Sequence, residues 1–226
     1  MKKAILSILT HSVLTATLLS ASPSIASITL SDNLSNTYDG VFSLQPGESQ
    51  AQGFKTTAQG YTVTNVTMLL NRAGPVIGNF SVSIYDATGG SGKPGSSVGS
   101  VVASFDASLL NYAASAVSWN NLSIVLTPGT DYYLMLTANN LSGGGARIGW
   151  AETANATGAG FPSNRLLYSG GSWYGPNQDH PFQMQINASS PSAVPEPSTY
   201  ALVCIGLVGL GYARKRMKKG EARPVG

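Results

Sequence analysis

Phe80-Ser81-Val82-Ser83-Ile84-Tyr85 places Phe80, Val82 and Ile84 in one phase and Ser81, Ser83 and Tyr85 in the other. A period of two sends the two sets to opposite faces of a strand. The same beat returns at Tyr132, Leu134 and Leu136 against Tyr133, Met135 and Thr137. It returns again at Phe182, Met184 and Ile186 against Gln183 and Gln185. Further strands are expected over Gly40–Leu44, Ala51–Thr56, Tyr61–Leu70, Ser97–Phe105, Ala116–Leu126, Arg147–Ala151 and Leu166–Tyr168. Thr127-Pro128-Gly129-Thr130 reads as a Pro-Gly turn, and Ser169-Gly170-Gly171-Ser172 as a hairpin turn before Trp173. No helical period occurs between the two ends of the chain. About ten strands without alternating helices predict an all-β fold, an antiparallel β-sandwich of jelly-roll type.

Composition agrees with that class. A length of 226 residues suits one domain with tails. Charged residues make up 10% of the chain, far below the usual share of about a quarter, and there are 26 glycines. The single cysteine, Cys204, excludes an intramolecular disulfide framework and a multi-cysteine zinc site. His11 falls in an expected leader, which leaves His180 as the body's imidazole. The net charge of +3 belongs to the ends, because residues 27–190 carry five cations against eight anions. A mildly acidic body lacks a phosphate-neutralising patch, so no nucleic-acid partner is expected.

Residues 1–26 read as a signal peptide, with Lys2 and Lys3 ahead of a mostly apolar Ala4–Leu19 stretch. Ser24-Ile25-Ala26 puts small residues at the −3 and −1 positions, so the secretion machinery would deliver the chain to signal peptidase for cleavage between Ala26 and Ser27. The body then spans 27–188, and 189–194 forms a small polar linker that holds it off the membrane.

Val194-Pro195-Glu196-Pro197-Ser198 follows, then an apolar stretch over 199–213, the cluster Arg214, Lys215, Arg216, Lys218 and Lys219, and a tail over 220–226. A helix over 199–213 would be roughly 22 Å long, against a hydrocarbon core of about 30 Å. Snorkelling of Arg214 and Lys215 would lengthen this short transmembrane helix. The cationic cluster would hold the C-terminal end in the cytoplasm, with the body facing the periplasm. Gly206, Gly209 and Gly211 would let another helix pack closely.

This order of residues 195–219 resembles the PEP-CTERM sorting signal of Gram-negative bacteria. The resemblance implies processing at or near Pro-Glu-Pro by exosortase, a membrane-embedded cysteine transpeptidase. It also implies transient anchoring in the inner membrane before delivery to the cell surface or extracellular matrix. Proteins with this signal commonly come from bacteria that make exopolysaccharide and grow as biofilms. The reactive cysteine belongs to the exosortase, and Cys204 reads as an apolar helix residue. Gly220–Gly226 extends past the point where such tails usually stop.

The body offers a second resemblance. Ala51-Gln52-Gly53-Phe54-Lys55-Thr56-Thr57, Val66-Thr67-Met68-Leu69-Leu70, the Phe80–Asp86 run, Pro94-Gly95-Ser96 and Leu126–Leu134 follow the order of choice-of-anchor R type surface domains. That resemblance implies location more than activity.

Gly90-x-Gly92-x-x-Gly95 matches the dinucleotide fingerprint in letters, and Gly95-x-Ser97-x-Gly99 matches the nucleophile elbow. Both need a strand-to-helix turn, whereas Pro94 and the surrounding Gly and Ser continue a loop. Glycoside hydrolysis needs two carboxylates about 5–10 Å apart. Glu48 and Glu152 are the body's only glutamates, and no catalytic residues are assigned. No cofactor is expected. A structural calcium would draw on Asp32, Asp86, Asp106 or Asp131, which read first as turn residues.

The tryptophans carry the remaining functional weight, because sugar rings stack their C–H faces on aromatic rings. Trp119 reads as core. Trp150, with Arg147 nearby, and Trp173-Tyr174 beyond the hairpin turn form the candidate glycan-binding set, with packing as the alternative for Trp150 and Trp173. Three roles follow: a non-catalytic exopolysaccharide-binding surface protein, a structural or adhesive matrix protein with protein partners, and, least supported, a secreted hydrolase.

Overall fold

A computed structural model describes residues 27–99, 102–160 and 164–190, together with Val203, Gly206, Leu207, Leu210 and Arg214. The expected leader, the Pro-Glu-Pro element and most of the expected 199–213 helix lie outside the described residues.

Each alternating stretch forms a strand. The strands are β1 (Ser27–Asp32), β2 (Gly40–Leu44), β3 (Ser49–Lys55), β4 (Tyr61–Ala73), β5 (Asn79–Asp86), β6 (Ala103–Asp106), β7 (Ser115–Leu126), β8 (Asp131–Thr137), β9 (Arg147–Glu152), β10 (Arg165–Ser169), β11 (Ser172–Asn177) and β12 (Met184–Ser189). A 3-10 turn over Ala107–Leu109 follows β6, capped by the Asp106 carboxylate accepting from the Ser108 N–H at 2.8 Å. The expected Ser97–Phe105 strand is shorter than its sequence pattern. Gly99 sits at φ +72°, outside the extended region, and pairing resumes only at Ala103.

Two six-stranded antiparallel sheets result. The first runs β1-β12-β4-β9-β2, with β7 also on β4, and the second runs β11-β10-β3-β8-β5-β6. Residue 70 faces both Ser115 of β7 and Trp150 of β9, while Met68 faces both Val117 of β7 and Met184 of β12. One edge of β4 is therefore lined by β7, and its other edge is shared by β12 and β9.

The sheets pack face to face. Val63, Val66, Met68, Leu70, Ile148 and Trp150 of the first meet Phe54, Val82, Ile84, Leu134 and Leu136 of the second in one buried cluster. Amide side chains buried beside it bond the backbone. The Gln52 Oε1 accepts from the Phe182 N–H at 2.9 Å, and the Asn33 Oδ1 accepts from the Met184 N–H at 2.7 Å. Gln183, fully buried, donates to the Asn36 carbonyl at 2.7 Å. These bonds tie the start of β12 to β3 and to the β1–β2 connection, where an unpaired buried polar group would cost about 1–3 kcal/mol.

Candidate functional site

β10 begins with a cation in an otherwise apolar strand, Arg165-Leu166-Leu167. Arg165 pairs in register with Gln52 on β3 and Asn177 on β11. Its Nη1 donates to Glu152 Oε2 and, at 2.9 Å, to the His180 carbonyl. The guanidinium carbon lies 5.2 Å from the Phe42 ring centroid and 5.1 Å from that of Phe182. The Arg165 and Glu152 side chains are only 13% and 19% exposed, so the pair is mostly withdrawn from water.

Above this pair lies a cleft of about 310 Å³ lined by Phe42, Arg165, Leu166, Leu167, Tyr174, Gly175, Asn177 and Phe182. Its volume sits at the lower end of the range of about 300–1,000 Å³ common for small-molecule sites. Tyr174, 58% exposed, supplies an open aromatic ring, and Asn177 supplies amide donor and acceptor groups. Beneath it Phe182 stacks on Trp150, centroids 4.6 Å apart and planes at 11°. The Asp39 carboxylate lies 3.2 Å from His180 Nε2 on the neighbouring connection.

Of the four residues expected to meet a glycan, only Tyr174 lines this cleft. Trp150 is fully buried, with one ring face on Phe182 and its Nε1 donating to the Gln183 carbonyl at 2.9 Å. Its assignment to a sugar platform is corrected: β9 is covered on both faces along its centre, and the ring belongs to the core. Arg147 is exposed at the start of β9, opposite Ala73, and does not line the cleft. Trp173 is half-buried on the outer face of the second sheet, tilted against Tyr168 at 5.2 Å, beside Ala51, Tyr133, Met135 and Leu166. Trp119, expected in the core, is half-buried at the core's margin. Phe42, Arg165, Asn177 and Phe182 escaped sequence reasoning. The lone cation inside the β10 run was the available signal.

The four aspartates considered for calcium are dispersed among separate contacts. The Asp32 Oδ1 accepts from the Leu34 N–H at 3.0 Å, and its Oδ2 from Gln185 at 2.9 Å. Asp86 accepts from the Thr88 hydroxyl and the Ser96 N–H, and these bonds, the hydroxyl's first, hold its carboxyl below the ordinary value. Asp106 is lowered by Ser108, and Asp131 lies 3.5 Å from the Lys55 ammonium. Among the described residues no three His, Cys, Asp or Glu side chains come together.

Both glycine motifs fall in the β5–β6 connection. There Gly89 bridges Lys93, and the Val98 N–H donates to the Ile84 carbonyl at 2.7 Å. Ser97 itself bridges Tyr85, a hairpin-like return in place of the helix either motif needs.

In the tail, Val203, Gly206, Leu207, Leu210 and Arg214 are helical, with the spacing of one helix face. Among the described residues no helix is long and apolar enough to cross a membrane. Residues 193–216 match the PEP-CTERM protein-sorting motif. No curated protein matches the chain. The motif marks an exported protein that exosortase processes during membrane transit before release to the cell surface.

Proposed function

We propose that the body of this exosortase substrate is a non-catalytic module that binds exopolysaccharide at the Tyr174 cleft. The observation that carries the reading is the arrangement of an open tyrosine ring and Asn177 in a cleft with Phe42, Phe182 and Arg165, the last held by Glu152. One sugar ring would stack on Tyr174, and its hydroxyls would bond Asn177 and the edge of the guanidinium. The strand order supports a jelly-roll reading, since β1-β12-β4-β7 opposes β3-β8-β5-β6 with β2, β9, β10 and β11 as additions. The location implied by the choice-of-anchor resemblance fits the same picture: a leader cut after Ala26, retention at the inner membrane by Arg214–Lys219, then display at the surface or in the matrix.

The carboxylates favour binding over hydrolysis. Glu152 is engaged by Arg165, and Glu48 accepts from Ser169 at 2.8 Å and from the Gln45 N–H at 2.8 Å. Arg165 and Ser169 are the first and last residues of β10, roughly 13 Å apart along a strand.

The test is co-sedimentation of the mature protein with exopolysaccharide from the producing cells. Wild-type protein should bind saturably, and Tyr174→Ala should bind about tenfold more weakly, an effect of about 1.4 kcal/mol. Its thermal midpoint should be unchanged, because the ring is exposed. Equal binding by both proteins removes Tyr174 from the site. No binding by folded wild-type protein would move the reading to a structural or adhesive role with protein partners.

A further inference from the structure

β7 is the longest edge strand among the described residues, and its Ser115–Asn120 segment lacks the features that usually protect such an edge. Residues 115–126 contain no charged residue and no proline. One edge of β7 pairs with β4, and among the described residues no strand or bridge meets its other edge. The other edge strands differ: β1 carries Asp32, β11 carries Pro176, β6 carries Asp106, and β2 has only five residues.

The same side of the sandwich exposes part of the core. Phe105 of β6 and Val117, Trp119 and Leu122 of β7 are only half covered, with Phe105 and Trp119 in edge contact at 6.3 Å. Two sheet edges thus meet over an apolar seam. The ladder with β4 shifts register near Asn121, which has φ +59°, so the regular segment of β7 is Ser115–Asn120.

We propose that Ala116–Asn120 pairs antiparallel with the same residues of a second copy, joining the two first sheets across a two-fold axis at Ser118. An uncharged segment meets its own copy without repulsion, and two-fold pairing makes each contact twice. This register sets Val117 against Trp119 of the second copy on the core side, and Ala116 against Asn120 on the outer side. Both half-covered core residues then gain an apolar neighbour, and the free backbone groups gain partners. The proposal is independent of the sugar reading, since the Tyr174 cleft lies beside β10 and β11.

Sedimentation of the mature protein at tens of micromolar should give twice the monomer mass. Ser118→Lys places two like charges opposite each other on the axis, so it should give the monomer mass while retaining the wild-type thermal midpoint to within a few degrees. In the mature protein, which ends at or near Pro-Glu-Pro and so is without Cys204, Ser118→Cys should cross-link into a covalent dimer on mild oxidation, whereas Ser123→Cys, beyond the paired segment, should not. A monomeric wild-type protein, or equal cross-linking at both positions, would overturn the proposal. Amide exchange provides a readout even where the lysine variant folds poorly: protection over Ala116–Asn120 should rise with wild-type concentration, and concentration-independent exchange would contradict the pairing.

Discussion

Trp150→Ala is expected to destabilise the body by about 3–5 kcal/mol, the range for truncating a large buried aromatic residue. The ring fills the middle of the core, stacks on Phe182 and donates its N–H to the Gln183 carbonyl. Truncation removes the packing, leaves a cavity and takes one of two hydrogen bonds from the buried Gln183 carbonyl, which keeps the Leu69 N–H at 3.2 Å. Loss on that scale is a large part of the roughly 5–15 kcal/mol that holds a typical domain together. Thermal unfolding followed by circular dichroism should fall by roughly 10 °C or more. A midpoint unchanged from wild type, with sugar affinity lost, would instead restore Trp150 to the ligand surface.

The second large effect is expected at Arg165. Arg165→Met leaves the Glu152 carboxylate mostly buried without its cation and frees the His180 carbonyl. Breaking a buried pair from one side typically costs about 3–5 kcal/mol, and the residual exposure of both groups places this site near 3 kcal/mol. The double variant Arg165→Met with Glu152→Gln should recover part of that loss, because no charge is then stranded. Arg165→Lys should recover less than a simple charge argument suggests, since an ammonium cannot lie flat between Phe42 and Phe182. Urea unfolding of wild type, Arg165→Met, Glu152→Gln and the double variant gives the coupling energy. Additive losses would mean that the two side chains act separately.

Strands were legible where an alternating apolar set faces the main core. Phe80, Val82 and Ile84 in β5 and Tyr132, Leu134 and Leu136 in β8 all do so, although Tyr133 and Met135 of β8 are also covered, in a smaller cluster on the other face. β9 concealed its tryptophan's role because Gly149 and Ala151 are small enough to be covered on the other face as well. Asn71 Oδ1 would stand 2.2 Å from a Cβ at position 149, so that face is filled by a neighbouring strand's side chain. β1 was invisible for a different reason: Ser27-Ile28-Thr29-Leu30 abuts the apolar leader, and its pairing with β12 joins residues more than 150 positions apart. The cleft was hidden in the same way. Phe42, Glu152, Arg165, Tyr174 and Phe182 meet only after β10 lies beside β3 and β9 beside β2, and no local spacing encodes that contact. Tyr174 was recoverable because a residue beyond a Gly-Gly turn is commonly exposed. The C-terminal address, by contrast, is written in contiguous residues, and it is found at 193–216 without any knowledge of the fold.

The account rests first on that address. The most direct measurement is the intact mass and cellular fraction of the protein from producing cells, for wild type and for a variant with Pro195, Glu196 and Pro197 replaced by alanine. Wild-type protein should be recovered at the surface without Arg214–Lys219, its mass placing the new C-terminus at or near Pro-Glu-Pro. The variant should remain with the inner membrane and retain the chain through Gly226. Surface protein of wild-type sequence that still carries its basic cluster, or a variant released as efficiently as wild type, would contradict it.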